Sequence, residues 1–248
     1  MQSPLSIGNG RKPKVILTND DGIDAAGLAA LRDAVAAWAE PIVVAPAVCW
    51  SGCSHRVTYD RPFRVLSRGE NCFVVEGTPA DCVRVALHRI APDAEAILSG
   101  INHGGNLGID VYYSGTVAAV REALFLGRPG IAVSQYHRKG LDPIPWTRTA
   151  SWVAPVLRDL LSRPPARGSF WNVNLPNLPA DAAQPDVVHC PVDHSPLPTA
   201  FQVNGEHWLD VGNYHGRPHR EGTDIDHCFA GRIAVSLVGL SRGFAAHE

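Results

Sequence analysis

Several features that would assign a chain to a specialised class are absent from this sequence. It contains no run of about 18 apolar residues, the length that a membrane-spanning helix needs. No block of like charges occurs among its 22 basic and 24 acidic residues, and the formal net charge is −2. We therefore expect no membrane partner and no binding of a nucleic-acid duplex through a basic stripe.

Paired cysteine motifs are also missing. The six cysteines form no C-x-x-C pair, and a chain of 248 residues that is 45% hydrophobic does not need a disulfide framework. Cys49 and Cys53 have the spacing of a metal-binding pair, but no second pair completes a tetrahedral set. The first 14 residues are polar and lack the apolar core of a signal peptide. We therefore expect reduced thiols and a cytoplasmic location.

Short apolar runs alternate with helical patterns through the first half of the chain. The runs at residues 14–18, 41–45, 72–75, 96–99 and 131–134 predict buried parallel strands. Helices are predicted over residues 28–38, after the capping pair Thr78-Pro79, and over residues 116–126. This alternation predicts an α/β fold with a doubly wound, mostly parallel, Rossmann-like sheet. Ligands of such sheets bind at the carboxyl ends of the strands.

The second half is less regular. A helix is predicted over residues 152–161, with Pro155 kinking it or marking its first turn, and a strand is predicted over residues 170–174. Residues 176–200 are rich in proline and predict an extended connection, followed by a hairpin turn at Asn204-Gly205 and a strand over residues 232–238. We divide the chain into a Rossmann-like catalytic core, residues 1–175, and a C-terminal extension, residues 176–248. The extension contains a hairpin and oligomerisation arm and a late strand that returns to the core.

Two adjacent carboxylates, Asp20 and Asp21, follow the first predicted strand. They would repel each other unless a cation lay between them or both faced water. Carboxylate oxygens are ligands of hard cations such as Mg²⁺ or Mn²⁺. The alternative is a helix N-cap followed by a solvated turn.

Three further loops carry polar groups after predicted strands. Ser51-Gly52 forms a small-residue turn, residues 99–108 form a Gly-rich loop that contains Asn102 and Asn106, and residues 114–116 open a helix whose N–H groups would attract an anion. Each has a simpler explanation as an ordinary turn, a connecting loop or a helix cap. Together they supply the groups that metal-assisted phosphoryl hydrolysis requires at one sheet edge.

The sequence motifs in these loops resemble those of a known protein family. The motifs T-N-D-D-G-I, V-A-P followed by S-G-x-S, G-T-P-A-D-C-V, S-G-I-N-x-G-x-N-L-G and Y-S-G-T-V-A-A occur in that order, and N-V-N-L-P and G-T-D follow. In order and spacing the chain resembles the stationary-phase survival protein SurE family over nearly its whole length. It departs from the family pattern at Ala26, where proline is usual, and in the apolar stretch at residues 47–50.

The resemblance implies a phosphomonoesterase that hydrolyses nucleoside 5′- and 3′-monophosphates and often acts as an exopolyphosphatase. It implies one divalent cation per subunit, Mg²⁺ or Mn²⁺, and assigns catalysis to the two aspartates. The implied metal ligands are Asp20, Asp21, Ser51 and Asn102. The implied phosphate-binding residues are Asn106, Ser114, Gly115 and Thr116. It further implies a homodimer or homotetramer that exchanges C-terminal elements.

Two other functions are compatible with parts of the sequence. A nucleotide-binding regulatory module without turnover would use the same fold, but it gains little from a paired carboxylate. A dinucleotide oxidoreductase would need G-x-G-x-x-G after the first strand, where this chain has Asn-Asp-Asp-Gly. Trp50 and Trp146 would either stack a base or pack in the core. No known spacing supports a second metal site among the C-terminal histidines.

Overall fold

The computed structural model describes residue 5 and residues 11–138, 141, 143–179 and 181–240. Its strands are β1 (Lys14–Thr18), β2 (Glu40–Pro46), β3 (Val65–Ser67), β4 (Cys72–Val75), β5 (Ala96–His103), β6 (Gly130–Gln135), β7 (Ser169–Leu175), β8 (Val187–His189), β9 (Phe201–Asn204), β10 (His207–Asp210) and β11 (Ile233–Gly239). Its α-helices are α1 (Ala26–Val35), α2 (Pro79–Val85), α3 (Gly115–Phe125), α4 (Trp146–Ser162) and α5 (Asp224–Phe229). A π-helical turn (Ala86–Ile90) continues α2, and a 3₁₀ helix (Gly108–Tyr112) precedes α3.

Nine strands form one sheet in the order β3-β4-β2-β1-β5-β6-β7-β11-β8. All neighbours are parallel except the pairs β3–β4 and β7–β11. The predicted mostly parallel α/β sheet is therefore confirmed. Strand order reverses at β1, because β2 lies on one side of it and β5 on the other, and such a reversal opens a crevice at the carboxyl ends. No helix among the described residues is both long and apolar enough to cross a membrane.

Both faces of the sheet are covered by helices. Neighbouring residues of β1 point to opposite faces, so Leu17 belongs to the cluster that contains α1 and α4, whereas Ile16 belongs to the cluster that contains α2 and α3 residues. Both side chains are completely buried. This two-sided burial explains why the strand reads as a continuous apolar run rather than an alternating one.

Local sequence signals explain most of the element boundaries. Thr78 caps α2 by accepting a hydrogen bond from Asp81 N, and the Asp81 side chain accepts from Thr78 N in return, which confirms the predicted helix start. Helix α4 begins at Trp146, six residues before the predicted start, so Pro155 lies inside the helix and not in its first turn.

One predicted loop is wrong. Residues 99–102 belong to β5, because β6 continues beside them and pairs Asn102 with Ser134. The ladder shifts its register between Ser99 and Asn102, and Gly100 has a φ of +135°, which favours glycine. The Gly-rich stretch therefore begins as an irregular strand.

The chain after β7 crosses back to the sheet. Its extended connection contains the short strand β8, and β9 and β10 form the predicted hairpin, with Gly205 at a φ of +61° in the turn. Strand β11 then inserts between β7 and β8. The division of the chain at residue 175 remains a prediction.

Candidate active site

The two aspartates and Asn102 lie at one edge of the sheet. Strands β1 and β5 are parallel neighbours with Thr18 opposite Ser99, so the residues that follow Thr18 meet the end of β5. Asp21 Oδ2 accepts a hydrogen bond from the main-chain N–H of His103 at 3.0 Å. This contact joins the acidic loop to the strand that carries Asn102.

Asp20 is a buried carboxylate at the centre of this edge. It is 4% exposed, and its Oδ1 accepts a hydrogen bond from the Thr116 hydroxyl in the first turn of α3. Burial raises the pKa of Asp20 to about 6, the charge of Asp21 adds to the rise, and the Thr116 hydroxyl opposes it. Ionisation of a buried carboxylate costs free energy, because the charge loses its hydration. A cation bound beside Asp20 would offset that free energy, so the side chain suits a metal ligand.

The loop after β2 lies between the acidic loop and α3. Trp50 N donates to Asp20 O at 2.7 Å, and Ser54 N donates to Tyr113 O at 3.0 Å. Ser51 is held between these two anchors. It is exposed, and its Oγ lies 3.0 Å from Cys49 Sγ. The loop thus presents an exposed hydroxyl one residue after its main-chain contact with Asp20.

The donor set fits a hard divalent cation. Two carboxylates, the Ser51 hydroxyl and the Asn102 amide supply oxygen atoms, and the Asn102 Nδ2 is used in a 2.9 Å hydrogen bond to Gly104 O. In the part of the chain that the structure describes, no three His, Cys, Asp or Glu side chains are grouped to hold a metal ion. The candidate cation site therefore depends on neutral oxygen donors as well as carboxylates.

The start of α3 faces Asp20. Ser114 caps the helix by accepting from Val117 N at 3.0 Å. A Cβ added to Gly115 would lie 2.8 Å from Asp20 Cβ and 2.9 Å from its Oδ2, so only glycine fits this close approach. The Thr116 hydroxyl and main-chain N–H are both directed at Asp20. Phosphate binding by residues 114–116 remains a prediction.

Asn106 is fixed by a network that sequence reasoning missed. Its N–H donates to Asn174 Oδ1 at 2.8 Å, its carbonyl accepts from the side chains of Asn172 and Asn174, and its Nδ2 donates to Ser134 Oγ at 2.8 Å. The N-V-N pattern was a usable signal, because residues two apart on a strand share a face. The pattern places both amides on the same side of β7.

The two tryptophans with a proposed base-stacking role occupy different surroundings. The Trp146 ring lies 6.3 Å from the His103 ring, which in turn lies 5.0 Å from the His137 ring. The Trp50 ring lies under the Arg56 guanidinium at 5.5 Å. Only Trp146 therefore belongs to an aromatic group, and that group adjoins the strand end that contacts Asp21.

Comparison with known proteins decides the family. Residues 15–194 match the model of the family described as Survival protein SurE. The chain belongs to the SurE family. The match spans the acidic loop, the Ser51 loop, the Gly-rich stretch, the start of α3 and the N-V-N strand, which are the elements that meet at the sheet edge.

Individual SurE relatives cover almost the whole chain. A Nostoc sp. protein provisionally named as a 5′-nucleotidase is 48% identical over 222 residues, which are 90% of this chain and 97% of the relative. The 5′-nucleotidase SurE of Vibrio cholerae serotype O1 is 42% identical over 244 residues, 96% of this chain and 90% of the relative. The crystal structure of the SurE protein from Aquifex aeolicus superposes with a TM-score of 0.82 at 29% identity and covers 92% of this chain and 93% of that one.

Proposed function

We propose that the chain is a metal-dependent nucleotidase that hydrolyses nucleoside monophosphates to nucleoside and phosphate. Relatives named 5′-nucleotidase at 42% identity and more than 90% coverage of this chain support the reaction class. The observation that carries the metal dependence is the buried Asp20 carboxylate next to Asp21, at the sheet edge where Asp21 accepts from His103 N beside Asn102.

The residues divide into two roles. Asp20, Asp21, Ser51 and Asn102 are the oxygen ligands of one Mg²⁺ or Mn²⁺ ion, which polarises a phosphoryl oxygen when bound. Asn106 and the start of α3 orient the phosphate. A helix start suits this role because its free N–H groups and dipole favour an anion without a mobile side chain.

The network behind Asn106 supports its positioning role. Because Asn172, Asn174 and Ser134 fix three of its polar groups, Asn106 is held in one orientation before any substrate arrives. Pre-organised groups of this kind bind an anion without the cost of ordering a side chain. We extend the proposal to nucleoside 3′-monophosphates and to exopolyphosphatase activity, which the resemblance to the family implies.

The test is phosphate release by the purified chain. Nucleoside 5′- and 3′-monophosphates and inorganic polyphosphate are assayed with Mg²⁺, with Mn²⁺ and with EDTA. We expect turnover of the nucleotides with either cation and none with EDTA.

Two results would contradict the proposal. Turnover that persists in EDTA would remove the metal dependence. Nucleotide binding measured by calorimetry without phosphate release under any cation would instead favour a non-catalytic regulatory module.

A further inference from the structure

The segment that follows the hairpin of β9 and β10 returns to the Gly-rich loop that carries Asn106. The Tyr214 hydroxyl donates to Gly105 O at 3.1 Å. Arg217 Nη2 donates to Leu107 O at 2.8 Å. Two side chains of the C-terminal extension therefore hold the main-chain carbonyls on either side of Asn106.

Asp110, in the 3₁₀ helix, joins these two side chains into one unit. Arg217 Nη1 donates to both of its carboxylate oxygens, at 3.0 and 2.9 Å. The Tyr214 hydroxyl lies 2.9 Å from Asp110 Oδ2, so it shares its proton between this oxygen and Gly105 O. The Arg217 guanidinium also lies over the Tyr214 ring at 4.4 Å. We call Asp110, Tyr214 and Arg217 the clamp, because each of them restricts the other two.

The clamp is shielded from water. Arg217 is only 3% exposed, and a guanidinium this deeply buried is retained only with charged and polar partners. Loss of hydration and the charge of Asp110 raise the pKa of Tyr214 well above its ordinary value, so the hydroxyl remains a donor at neutral pH. A Cβ added to Gly105 would lie 3.1 Å from the Tyr214 oxygen, so glycine allows this close approach.

The loop around Asn106 needs contacts from outside to hold one conformation. Three of the five residues 104–108 are glycines, which have more backbone freedom to lose than other residues. Asn172 and Asn174 hold the main chain of Asn106 from the sheet. The clamp holds the two neighbouring carbonyls from the C-terminal extension, so the position of the Asn106 side chain depends on both sets of contacts.

We propose that Tyr214 and Arg217 are positioning residues, which hold the Gly-rich loop so that the Asn106 side chain is ready to bind phosphate. Ordering the loop before the anion arrives removes that cost from binding. This inference rests on the role of Asn106 in the proposed function. It gives the C-terminal extension a part in the candidate site in addition to its predicted part in assembly.

Calorimetry of inorganic phosphate with Mg²⁺ present measures the effect on the full chain. Tyr214→Phe keeps the ring and removes the hydroxyl, and it should weaken phosphate binding by about threefold to tenfold. Arg217→Lys keeps the charge but loses the planar fork, and it should weaken phosphate binding by about tenfold or more. Mg²⁺ affinity measured without phosphate should stay unchanged in both variants, since the clamp contacts none of the proposed cation ligands.

Arg148→Lys is the matched control. Arg148 also lies over an aromatic ring, that of Trp152 at 4.5 Å, and it donates to the main-chain carbonyl of Leu178 at 2.8 Å. It has no bond to the Gly-rich loop among the contacts of the described residues. Phosphate affinity should therefore be the same in Arg148→Lys as in the wild type.

A double-mutant cycle separates positioning from general damage to the fold. Asn106→Ala should weaken phosphate binding and leave the start of α3 to bind the anion. Because the clamp acts through the Asn106 side chain, adding Tyr214→Phe to Asn106→Ala should cause no further loss. A merely structural effect of Tyr214→Phe would instead add in full.

The outcomes separate this inference from the proposed function. Absence of phosphate binding by the wild type, unchanged phosphate affinity in Tyr214→Phe or in Arg217→Lys, a parallel loss of Mg²⁺ affinity, or additivity in the cycle overturns the positioning role. Nucleotide hydrolysis by the wild type would still uphold the function. Phosphate affinity that depends on the clamp through Asn106, without phosphate release from any nucleotide, upholds the positioning role and overturns the function.

Discussion

At the scale of single residues, Asp20 combines a proposed functional role with a cost to the fold. Its pKa is about 6, above the ordinary value of 3.8, so the folded state holds its proton more tightly than the unfolded chain does. The stability that the protonated form contributes is complete below about pH 4 and is lost as the pH rises through 6. Without a cation, the ionised side chain therefore weakens the fold at neutral pH.

We predict that Asp20→Asn loses most phosphatase activity and yet stabilises the metal-free protein. Two pKa units correspond to about 3 kcal/mol, so the free energy of unfolding at pH 7.5 should rise by roughly 1–3 kcal/mol. Urea unfolding in EDTA at pH 4.5 and pH 7.5 measures this, and the difference between variant and wild type should shrink at the lower pH. Asp21→Asn is the control: it should lose activity with less gain in stability, because Asp21 is less buried. Near-normal turnover in either variant would contradict the ligand assignment.

A second prediction at the scale of single residues concerns a substitution of Gly115. A methyl group there would meet Asp20 and lie 3.0 Å from Cys53 Sγ, and overpacking of this kind costs about 1–3 kcal/mol. Gly115→Ala should therefore weaken both inhibition by inorganic phosphate and activation by the cation, by about tenfold each. Gly239→Ala is the matched control, since nothing lies within 4 Å of its added methyl group. Unchanged phosphate inhibition in Gly115→Ala would remove the anion site from the start of α3.

At the scale of elements, a buried carboxylate ties the C-terminal connection together. Burial opposes the ionisation of Asp193, but N–H groups of Arg220 and Ser195 donate to it at 2.7 and 2.6 Å, and its pKa falls to about 2. Asp224 lies beside it, accepting from Asp193 N and from Gly108 N at 2.8 Å each. These bonds link the connection before β9 to α5 and to the 3₁₀ helix.

We predict that this link is lost in acid. A lowered carboxyl pKa contributes stability that is complete above about pH 4 and disappears as the pH falls through 2. At pH 7, Asp193→Asn should destabilise the chain by about 1.5–3 kcal/mol, the worth of hydrogen bonds to a charged group. Urea unfolding from pH 7 to pH 2 checks both, because the difference between wild type and variant should shrink steadily as the pH falls from 4 toward 2. A constant difference across that range would show that the charge is not the cause.

Elements with local signals were predictable, and those that depend on distant contacts were not. The apolar run of β1, the capping pair at Thr78 and the hairpin turn at Gly205 are each determined by a few adjacent residues. Asn172, which holds Asn106 in place, lies 66 positions away in the sequence. No residue near Asn106 in the sequence indicates this partner. Helix α5 has six residues, too few for a helical period to be recognised.

The same distinction applies to the candidate site. The acidic pair and the helix start were evident as motifs, since each is contiguous in sequence. The bond from Thr116 to Asp20 spans 96 positions and turns two separate motifs into one unit.

At the scale of the whole molecule, the hairpin of β9 and β10 presents apolar side chains to solvent. Trp208 is 67% exposed, Leu209 63% and Phe201 53%, although side chains of this size normally gain from burial. The hairpin pairs with no other strand of the described chain. We therefore propose, as the sequence already led us to expect, that it packs against another subunit.

We predict a dimer or tetramer in light scattering at micromolar concentration. The double substitution Trp208→Ser and Leu209→Ser should shift the mass toward the monomer, because it removes the two most exposed apolar side chains of the hairpin. Tyr59→Ser, which removes a ring that is 80% exposed on another part of the surface, should leave the mass unchanged. A monomeric wild type would remove the proposed role of the hairpin.

The hydrogen bond between Thr116 and Asp20 makes the two halves of the candidate site thermodynamically interdependent. Asp20 accepts hydrogen bonds from the Thr116 hydroxyl and main-chain N–H at the start of α3, where an anion is proposed to bind. A cation held by this carboxylate would weaken its hold on these donors, so binding of the first ligand would favour binding of the second. Such linkage is reciprocal: phosphate must strengthen cation binding by the same factor by which the cation strengthens phosphate binding. One contact between a strand end and a helix would thus make the chain a cooperative binder of two oppositely charged ligands.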